Sequence, residues 1–211
     1  MKNALVVGAT GLVGRYLLSE LLVNGSYGKV VALVRSSIDL HHPNFEQLVV
    51  DFDSLEQIDV SVDDVYCCLG TTIRKAGSKV AFMKVDFEYP VLIAELALKA
   101  GASSFCIVTS MGADTDSRYF YNRVKGMVEE KLIALSYNRL LILRPSLLLG
   151  DRKESRFGEM VGKLFMWFFS FLIPIDYKAV HGRKVAKAMR VNMEASNTGV
   201  DVLSSGAIQA Y

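Results

Sequence analysis

The 211-residue chain lacks a strong net charge, and it has few cysteine and histidine residues. Its 24 Lys and Arg residues against 22 Asp and Glu residues leave a formal charge of +2. No run of Lys and Arg interleaved with aromatic residues compensates for that balance, which argues against a nucleic-acid-binding protein of the usual basic-patch kind. We therefore expect no nucleic-acid partner.

The few metal-ligating residue types do not form a metal-binding pattern. They are Cys67, Cys68 and Cys106 together with His41, His42 and His181. The cysteines lie in apolar, strand-like stretches, where they read as small buried side chains in a reducing compartment. The histidines have no ligand-spaced neighbours, so we expect structural roles for them and no metal site.

Long apolar runs are also missing. The longest, from Leu164 to Ile173, is far shorter than the roughly 20 residues that a membrane span needs. It belongs to an aromatic segment, 157–173, that predicts a buried helix, a cover over an apolar substrate, a dimer surface or a helix at a membrane interface. The first apolar run ends at Gly8, too early for a signal peptide. We expect a cytoplasmic protein without a transmembrane span; peripheral membrane contact through 157–173 and a homodimer remain open.

What the sequence does contain is an alternation of strand-like and helix-like stretches. The predicted strands are 4–7, 29–34, 47–50, 64–68, 104–108 and 140–143, and the predicted helices are 12–22, 80–99, 118–135 and 182–192. Continuous apolar strands separated by helices predict a doubly wound parallel sheet of the Rossmann type, with helices on both faces. We expect a single domain over residues 1–211, with 145–181 as a small substrate-side insertion or lid and a small C-terminal helical cover.

The turn after the first strand has the glycine spacing of a dinucleotide-binding motif. The segment reads Val6-Val7-Gly8-Ala9-Thr10-Gly11-Leu12-Val13-Gly14. Gly8 permits a sharp exit from the strand, Gly11 lets the backbone approach a pyrophosphate, and Gly14 lets the helix pack close to the sheet. The N–H groups at the start of the helix bind the phosphates. We predict cofactor contacts from Gly8, Thr10, Gly11, Leu12, Val13 and Gly14.

Residues after the second and third strands indicate which nicotinamide cofactor is bound. Arg35 follows the second strand, about 20 residues past the glycine turn, where an acid favours NAD and an arginine accommodates the extra phosphate of NADP. We therefore predict NADP in preference to NAD. Asp51, after the third strand, is a candidate partner for the adenine amino group or a cap for a short helix that begins near Asp53. Phe52 is included with Asp51 among the predicted cofactor contacts.

Two side chains suited to proton transfer follow the fifth strand. Tyr121 and Lys125 stand four positions apart, which on a helix places their Cβ atoms about 5–6 Å apart on one face. A phenol with a pKa of about 10 needs a neighbouring cation to exchange a proton near neutrality. Ser110, at the carboxyl end of the fifth strand, can donate a hydrogen bond to a substrate carbonyl oxygen or cap the following turn.

Together these residues resemble the short-chain dehydrogenase/reductase superfamily in its atypical and extended branch, in particular the Tat-interacting oxidoreductase-like family and its bacterial relatives. The matching stretches run from residue 5 to about 156: GATGLVG, Cys68-Leu69-Gly70-Thr71-Thr72, Lys75-Ala76-Gly77, Val85-Asp86, Ser110-Met111-Gly112-Ala113-Asp114, Tyr121 with Lys125, Leu143-Arg144-Pro145, and Leu149-Gly150-Asp151-Arg152. Val180-His181 ahead of Val185-Ala186 extends the match.

The resemblance implies an NADP-binding Rossmann fold with assigned roles for the site residues. Tyr121 is the acid or base, Lys125 steadies the ribose hydroxyls and promotes the phenolate, and Ser110 orients the substrate. Gly70 falls where the loop after the fourth strand passes the nicotinamide ribose, and Thr71 is assigned to the cofactor with it.

Two positions and one spacing depart from the family pattern. Ser146 replaces a frequent glycine, and Asp86 replaces a frequent asparagine, where it anchors the active-site backbone or a water. The gap between serine and tyrosine is shorter than in many well-studied reductases, so either Thr109 or Ser110 faces the substrate.

The leading functional hypothesis is an NADP-dependent oxidoreductase that moves a hydride between nicotinamide and a small carbonyl or alcohol, with Tyr121 moving the proton. The alternatives are a regulatory protein that senses NADP without turnover and a sugar-nucleotide epimerase-like enzyme. About 65 residues after Arg144 leave little room for the larger substrate domain of an epimerase. The identity of the small-molecule substrate is not encoded in these motifs.

Overall fold

A seven-stranded parallel sheet forms the centre of the molecule in the computed structural model, which describes residues 1–150, 174–195 and 197–211. The strands, with two short ones that pair separately, are β1 Lys2–Val7, β2 Tyr27–Val34, β3 Phe45–Val49, β4 Asp64–Cys67, β5 Ser104–Val108, β6 Arg139–Arg144, β7 Leu148–Leu149, β8 Val180–His181 and β9 Gly199–Ser204. The order in the sheet is β3-β2-β1-β4-β5-β6-β9. The chain switches sides between β1 and β4, the position at which doubly wound sheets bind ligands.

Helices cover both faces of the sheet, as the sequence predicts. They are α1 Leu12–Asn24, α2 Ile73–Ala76, α3 Lys79–Met83, a π-helical turn Lys84–Glu88, α4 Tyr89–Lys99, α5 Phe120–Ala134, a 3-10 turn Ile175–Tyr177, α6 Gly182–Glu194 and α7 Ser205–Ile208. Helices α1 and α6 pack together on one face, and α4 and α5 pack on the other. The prediction of a doubly wound Rossmann sheet is confirmed.

Alternation along the strands divides the core into two layers. In β1, Ala4 and Val6 join the cluster beneath α1 and α6, whereas Leu5 and Val7 join the cluster beneath α4 and α5. Successive side chains of a strand point to opposite faces, so a strand covered on both faces must be apolar throughout. This is why the central strands are continuous apolar runs.

Several boundaries differ from the predicted ones. The expected helix over 80–99 is interrupted by the π-helical turn, and strand β9, which lies at one edge of the sheet, was not predicted. Within the described residues, none of the helices combines the length and the hydrophobicity needed to cross a bilayer. The predicted apolar segment 157–173 lies outside the described residues, as does most of the predicted insertion.

Candidate active site

The glycine turn brings β1, α1 and β4 into close contact. Gly8 has a φ of +79°, and a Cβ there would lie 2.6 Å from the carbonyl carbon of Cys68, the residue directly after β4. A Cβ at Gly14 would overlap the carbonyl oxygen of Gly8. Only glycine fits at both positions, because the first needs a left-handed backbone and the second needs contact between helix and turn. The roles expected for Gly8 and Gly14 match these contacts.

The amino end of α1 faces the carboxyl edge of the sheet without a side-chain cap. Gly11 occupies the capping position in an extended conformation, and its N–H donates to the Gly8 carbonyl at 3.0 Å. The first N–H groups of a helix have no partner within the helix, and the helix dipole adds positive potential there. The arrangement suits a phosphate group.

A cleft of about 430 Å³ opens beside this helix end. It is lined by residues from the start of α1, from the ends of β4, β5 and β6 and the loops that follow them, from α2, α5 and β7, and from the π-helical turn. The lining residues are Leu12, Val13, Cys68, Leu69, Gly70, Thr71, Thr72, Lys75, Asp86, Val108, Thr109, Ser110, Tyr121, Lys125, Pro145, Ser146, Leu147 and Leu148. The structure therefore brings together the predicted catalytic residues Ser110, Tyr121 and Lys125 with the predicted cofactor residues Leu12, Val13, Gly70 and Thr71.

Helix α5 presents both proton-transfer candidates to the cleft. Tyr121 is half-buried, and its ring packs against Phe82 with ring centroids 5.5 Å apart. Lys125, one turn later, is almost fully buried and has a side chain only 4% exposed. The spacing of four residues places them on one face, as predicted.

Lys125 forms a buried ion pair with Asp86 of the π-helical turn. Its Nζ lies 2.8 Å from Asp86 Oδ1, and the Asp86 side chain has no exposed surface. The contact is an ion pair rather than an aligned hydrogen bond, because Oδ1 has no hydrogen-bond partner of good geometry among the described residues. The other oxygen, Oδ2, accepts the Thr71 N–H at 2.9 Å. Asp86 thus anchors the active-site backbone, one of the two roles considered for it.

The environment of Lys125 keeps it protonated. Burial alone lowers its pKa, but the electrostatic interaction with Asp86, and to a lesser degree that with Tyr121, outweighs burial and holds the pKa above its ordinary value. Gly70 stands over the pair, where a Cβ would lie 3.6 Å from Asp86 Oδ1 and 3.9 Å from Lys125 Nζ. The cleft therefore contains a fixed ammonium group beside the Tyr121 phenol.

The hydroxyl groups at the end of β5 differ in their partners. Thr109 Oγ1 donates to Glu129 Oε1 at 2.5 Å, and Glu129 in turn pairs with Arg144. Ser110 is 9% exposed, and its Oγ has no hydrogen-bond partner among the described residues. A buried hydroxyl without a partner is unfavourable in a native structure and marks a position for a ligand oxygen or a water. Between the two alternatives, Ser110 carries the available hydroxyl.

Seven predicted cofactor residues do not line this cleft: Gly8, Gly11 and Gly14 of the turn described above, and Thr10, Arg35, Asp51 and Phe52. Thr10 lines a neighbouring groove of about 880 Å³ with Ala9, Arg15, Leu18, Ser19, Leu22, Val23, Ile38, Asp39, Leu40, His41, His42 and Lys75. Arg35 is exposed just beyond β2. Asp51 Oδ1 accepts the Asp53 N–H at 3.0 Å, but it does so in a turn, since the short helix predicted near Asp53 does not form. The Phe52 side chain is only 5% exposed and packs on Tyr89, so the structure does not bring it to the cleft.

Glu129 is not among the predicted site residues, although its spacing in α5 carries a signal for it. Tyr121, Lys125 and Glu129 recur every four residues on the face of α5 that turns toward the sheet. Buried charged residues on such a face indicate partners across the interface. No group of three or more His, Cys, Asp or Glu side chains within the described part of the chain is arranged to hold a metal ion.

Comparison with known proteins identifies relatives over nearly the whole chain. Residues 8–156 match a family model described as NAD(P)H-binding. The protein HTATIP2 of Rattus norvegicus is 35% identical over 220 aligned residues, covering 98% of this chain and 88% of that protein. The mitochondrial protein FMP52 of Eremothecium gossypii is 39% identical over 158 residues, covering 74% of this chain and 70% of its own.

Solved structures share the fold at low sequence identity. MoeE5 in complex with UDP-glucuronic acid and NAD superposes with a TM-score of 0.73 at 18% identity, over 95% of this chain and 75% of that one. A UDP-glucose 4-epimerase from Thermotoga maritima superposes with a TM-score of 0.69 at 16% identity, over 97% and 77%. These similarities show a Rossmann fold of the NAD-binding type. The family resemblance predicted from the sequence is confirmed by the relatives above.

The predicted cytoplasmic location is wrong. It was inferred from the short amino-terminal apolar run, whereas curated fungal relatives, among them FMP52 of Saccharomyces cerevisiae at 32% identity, are named mitochondrial proteins. A short apolar run argues only against a secretory signal and carries no information on other destinations.

Proposed function

This chain belongs to the NAD(P)H-binding family that includes HTATIP2 and the FMP52 proteins, and on that premise we propose that it is an NADP-dependent oxidoreductase acting on a small carbonyl or alcohol. The observation that carries the proposal is the Ser110 hydroxyl. It is buried without a partner in the same cleft as Tyr121 and the Asp86-paired Lys125. A hydrogen-bond donor, a proton donor and a fixed cation are the groups that carbonyl reduction requires.

The residues present fit a dinucleotide. The turn at Gly8 and Gly14 leaves no room for Cβ atoms, and the uncapped amino end of α1 suits the pyrophosphate. The nicotinamide end would lie by Gly70 and Thr71, within reach of Tyr121 and Lys125. When bound, the nicotinamide supplies the hydride for reduction or accepts it in the reverse direction.

The preference for NADP over NAD rests on Arg35. This residue is exposed at the end of β2, and no ion-pair partner for it is found within the described ranges. The nearest acidic residue that follows it in sequence is Asp39, whose Oδ1 lies 3.4 Å from His41 Nδ1. An arginine without a competing carboxylate favours the 2′-phosphate, because the guanidinium forms charge-assisted hydrogen bonds to phosphate oxygens.

In the direction of reduction, the chain supplies one hydrogen bond and one proton. Ser110 Oγ–H donates to the substrate carbonyl oxygen and polarises the C=O bond as the carbon accepts the hydride. The Tyr121 O–H gives its proton to the same oxygen, which completes the alcohol. Lys125 stabilises the phenolate that remains until solvent returns the proton. In the oxidative direction the Tyr121 phenolate accepts the alcohol proton.

Two measurements on the purified protein test this proposal. NADPH binding is measured by calorimetry, and NADPH oxidation is then followed across a panel of aldehydes and ketones. Tyr121→Phe should abolish turnover of any active compound and leave NADPH affinity within about twofold. Tyr119→Phe is the matched control, because that side chain is 74% exposed and does not line the cleft.

The outcomes separate the alternatives. Tight NADPH binding with no oxidation across the whole panel contradicts the oxidoreductase and supports a cofactor-sensing protein. Unchanged turnover in Tyr121→Phe removes the proton-transfer role of that residue. Interconversion of a UDP-sugar without net NADPH oxidation would instead support epimerase-like chemistry.

The cofactor preference has its own test. Arg35→Ser should weaken NADPH binding by at least about tenfold, or about 1.4 kcal/mol, with little change for NADH. Arg118→Ser, also an exposed arginine, serves as the control. Equal losses for the two cofactors would contradict a role for Arg35 at the 2′-phosphate.

A further inference from the structure

The buried carboxylate of Asp86 has no part in the proton transfer described above, yet it contacts two elements of the cleft. We propose that Asp86 is a positioning residue that keeps Lys125 charged and fixes it beside the loop of Gly70 and Thr71. The proposal rests on the proposed function for what Lys125 does to cofactor and substrate. The existence and strength of the coupling do not depend on turnover.

The first argument is the balance of charge around Lys125. Within the described residues, the groups that raise its pKa by charge come from three elements: Asp86 of the π-helical turn, Tyr121 of α5 and Cys67 of β4. Burial raises the pKa of the Cys67 thiol to about 11, so the thiol is neutral at neutral pH. Of the three groups, only Asp86 is a carboxylate. Asp86 therefore supplies the resting counter-charge of the buried ammonium.

The second argument is the position of the carboxylate between two structural elements. Oδ1 faces Lys125 Nζ at 2.8 Å, and Oδ2 accepts the Thr71 N–H at 2.9 Å. One rigid group therefore sets the distance between α5 and the loop after β4. The turn that carries it is π-helical, an irregularity that occurs frequently at functional sites.

The third argument follows from removing the charge. Asparagine at position 86 retains an oxygen that can accept the Thr71 N–H, but it leaves the ammonium without its counter-ion. The largest charge that offsets burial is then gone, so the pKa of Lys125 should fall relative to the wild type. The lysine of such a variant would lose its proton at a pH at which the wild-type lysine keeps it. A group with only a packing role would not produce this change.

A double-mutant cycle on the full chain tests the pairing without reference to activity. Guanidinium unfolding is measured for the wild type, Asp86→Asn, Lys125→Met and Asp86→Asn/Lys125→Met. We expect Lys125→Met to have the lowest denaturation midpoint, because it leaves a buried carboxylate unpaired, and we expect the double variant to lie above it. Additive losses, or a double variant below Lys125→Met, would overturn the proposal. If Asp86→Asn does not fold, a folded double variant supports the proposal and an unfolded one overturns it.

Calorimetry with NADPH at several pH values tests the effect on charge. The affinity of Asp86→Asn should fall at least tenfold relative to the wild type between pH 7 and pH 9.5, as Lys125 loses its proton. Asp64→Asn is the matched control: its carboxylate is also buried and paired with a lysine, Lys2, but at the opposite edge of the sheet. Parallel pH dependences for the wild type and Asp86→Asn would overturn the proposal. If the double-mutant cycle shows coupling and the NADPH affinity of Asp86→Asn depends on pH as expected, but no carbonyl compound is turned over, the proposal for Asp86 stands. Only the proposed function is then rejected.

Discussion

Two buried carboxylates, each paired with a lysine, lie at opposite ends of the parallel strands, and their surroundings differ. We call the side of the sheet where the strands begin the amino edge and the side where they end the carboxyl edge. At the amino edge, Asp64 contacts Lys2 Nζ at 3.1 Å and accepts the Tyr27 hydroxyl at 2.8 Å, and Tyr27 and Tyr66 share a hydrogen bond of 2.7 Å. At the carboxyl edge, the Asp86–Lys125 pair adjoins the Ser110 hydroxyl, which has no partner among the described residues. We refer to Lys2, Tyr27, Asp64 and Tyr66 as the amino-edge cluster.

The difference indicates which edge is built for stability and which for binding. A buried polar group with all its hydrogen bonds made contributes to stability, whereas a buried group without a partner costs free energy until a ligand supplies one. The amino-edge cluster is complete within the chain. The cleft is not complete within the described residues, because the Ser110 hydroxyl has no partner there. Variants at the two edges should therefore separate stability from catalysis.

The largest effect is expected from Ser110→Ala. Removing this donor should lower kcat by about 100- to 1,000-fold, the range found for the loss of one donor to a developing oxyanion. The free energy of unfolding should not fall, because no described hydrogen bond is lost and a buried hydroxyl without a partner is removed. Steady-state kinetics on a substrate found in the carbonyl panel and guanidinium unfolding measure the two quantities. A large loss of stability with unchanged kcat would break the distinction between the edges.

The strands and helices that form the two edges of the sheet were predictable from the sequence to different degrees. Strand β5 was predicted at 104–108 and is observed there, because its five residues are all buried. Strand β9 was not predicted, because it is the outermost strand of the sheet and exposes Val200 and Val202. It therefore has no continuous apolar run. The π-helical turn leaves the apolar periodicity of its helix intact and depends on packing that the sequence alone does not reveal.

The site residues show the same difference between what the local sequence determines and what depends on packing in the fold. Tyr121, Lys125 and Ser110 were predictable because local spacing and the end of a strand place them. The partners of these residues were not, since Asp86 meets Lys125 across 39 positions in sequence and Thr109 meets Glu129 between a strand and a helix. Such pairs depend on which elements become neighbours in the fold. Arg35 and Asp51 were placed correctly beyond their strands, but nothing local determines what they bind.

A smaller effect, confined to stability, is expected from Tyr27→Phe in the amino-edge cluster. The substitution removes the hydroxyl that donates to Asp64, and the buried carboxylate keeps only its contact with Lys2. We expect a loss of about 1–3 kcal/mol in the free energy of unfolding, the usual cost of leaving a buried polar group under-satisfied. NADPH affinity should not change, since the cluster lies at the opposite edge from the cleft. A weakening of NADPH binding by tenfold or more would show that the two edges are coupled.

The amino-edge cluster should also make stability sensitive to alkaline pH. Burial and the neighbouring Asp64 charge raise the pKa of Tyr27, and burial raises the pKa of Tyr66. In the unfolded chain these phenols ionise near pH 10, while in the native state they keep their protons. Stability is therefore fully present below about pH 10 and falls as pH rises above it, by about 1.4 kcal/mol per pH unit for each such tyrosine.

Unfolding at a series of pH values between 9 and 11 measures this slope. Tyr27→Phe should have a shallower decline than the wild type, because one of the proton-retaining groups is gone. The same slope in both proteins would mean that Tyr27 ionises alike in the folded and unfolded states.

The smallest effect is expected at Asp51, which tests how far the binding edge extends. Its carboxylate accepts the Asp53 N–H in an exposed turn, so Asp51→Ala should cost only about 0.5 kcal/mol of stability. If the turn is its sole role, NADPH affinity stays within about twofold of the wild type. Asp51→Asn keeps an oxygen for the turn and should restore stability in guanidinium unfolding. A tenfold loss of NADPH affinity in Asp51→Ala would instead identify Asp51 as the adenine partner, and the binding edge would then continue past β2 to β3.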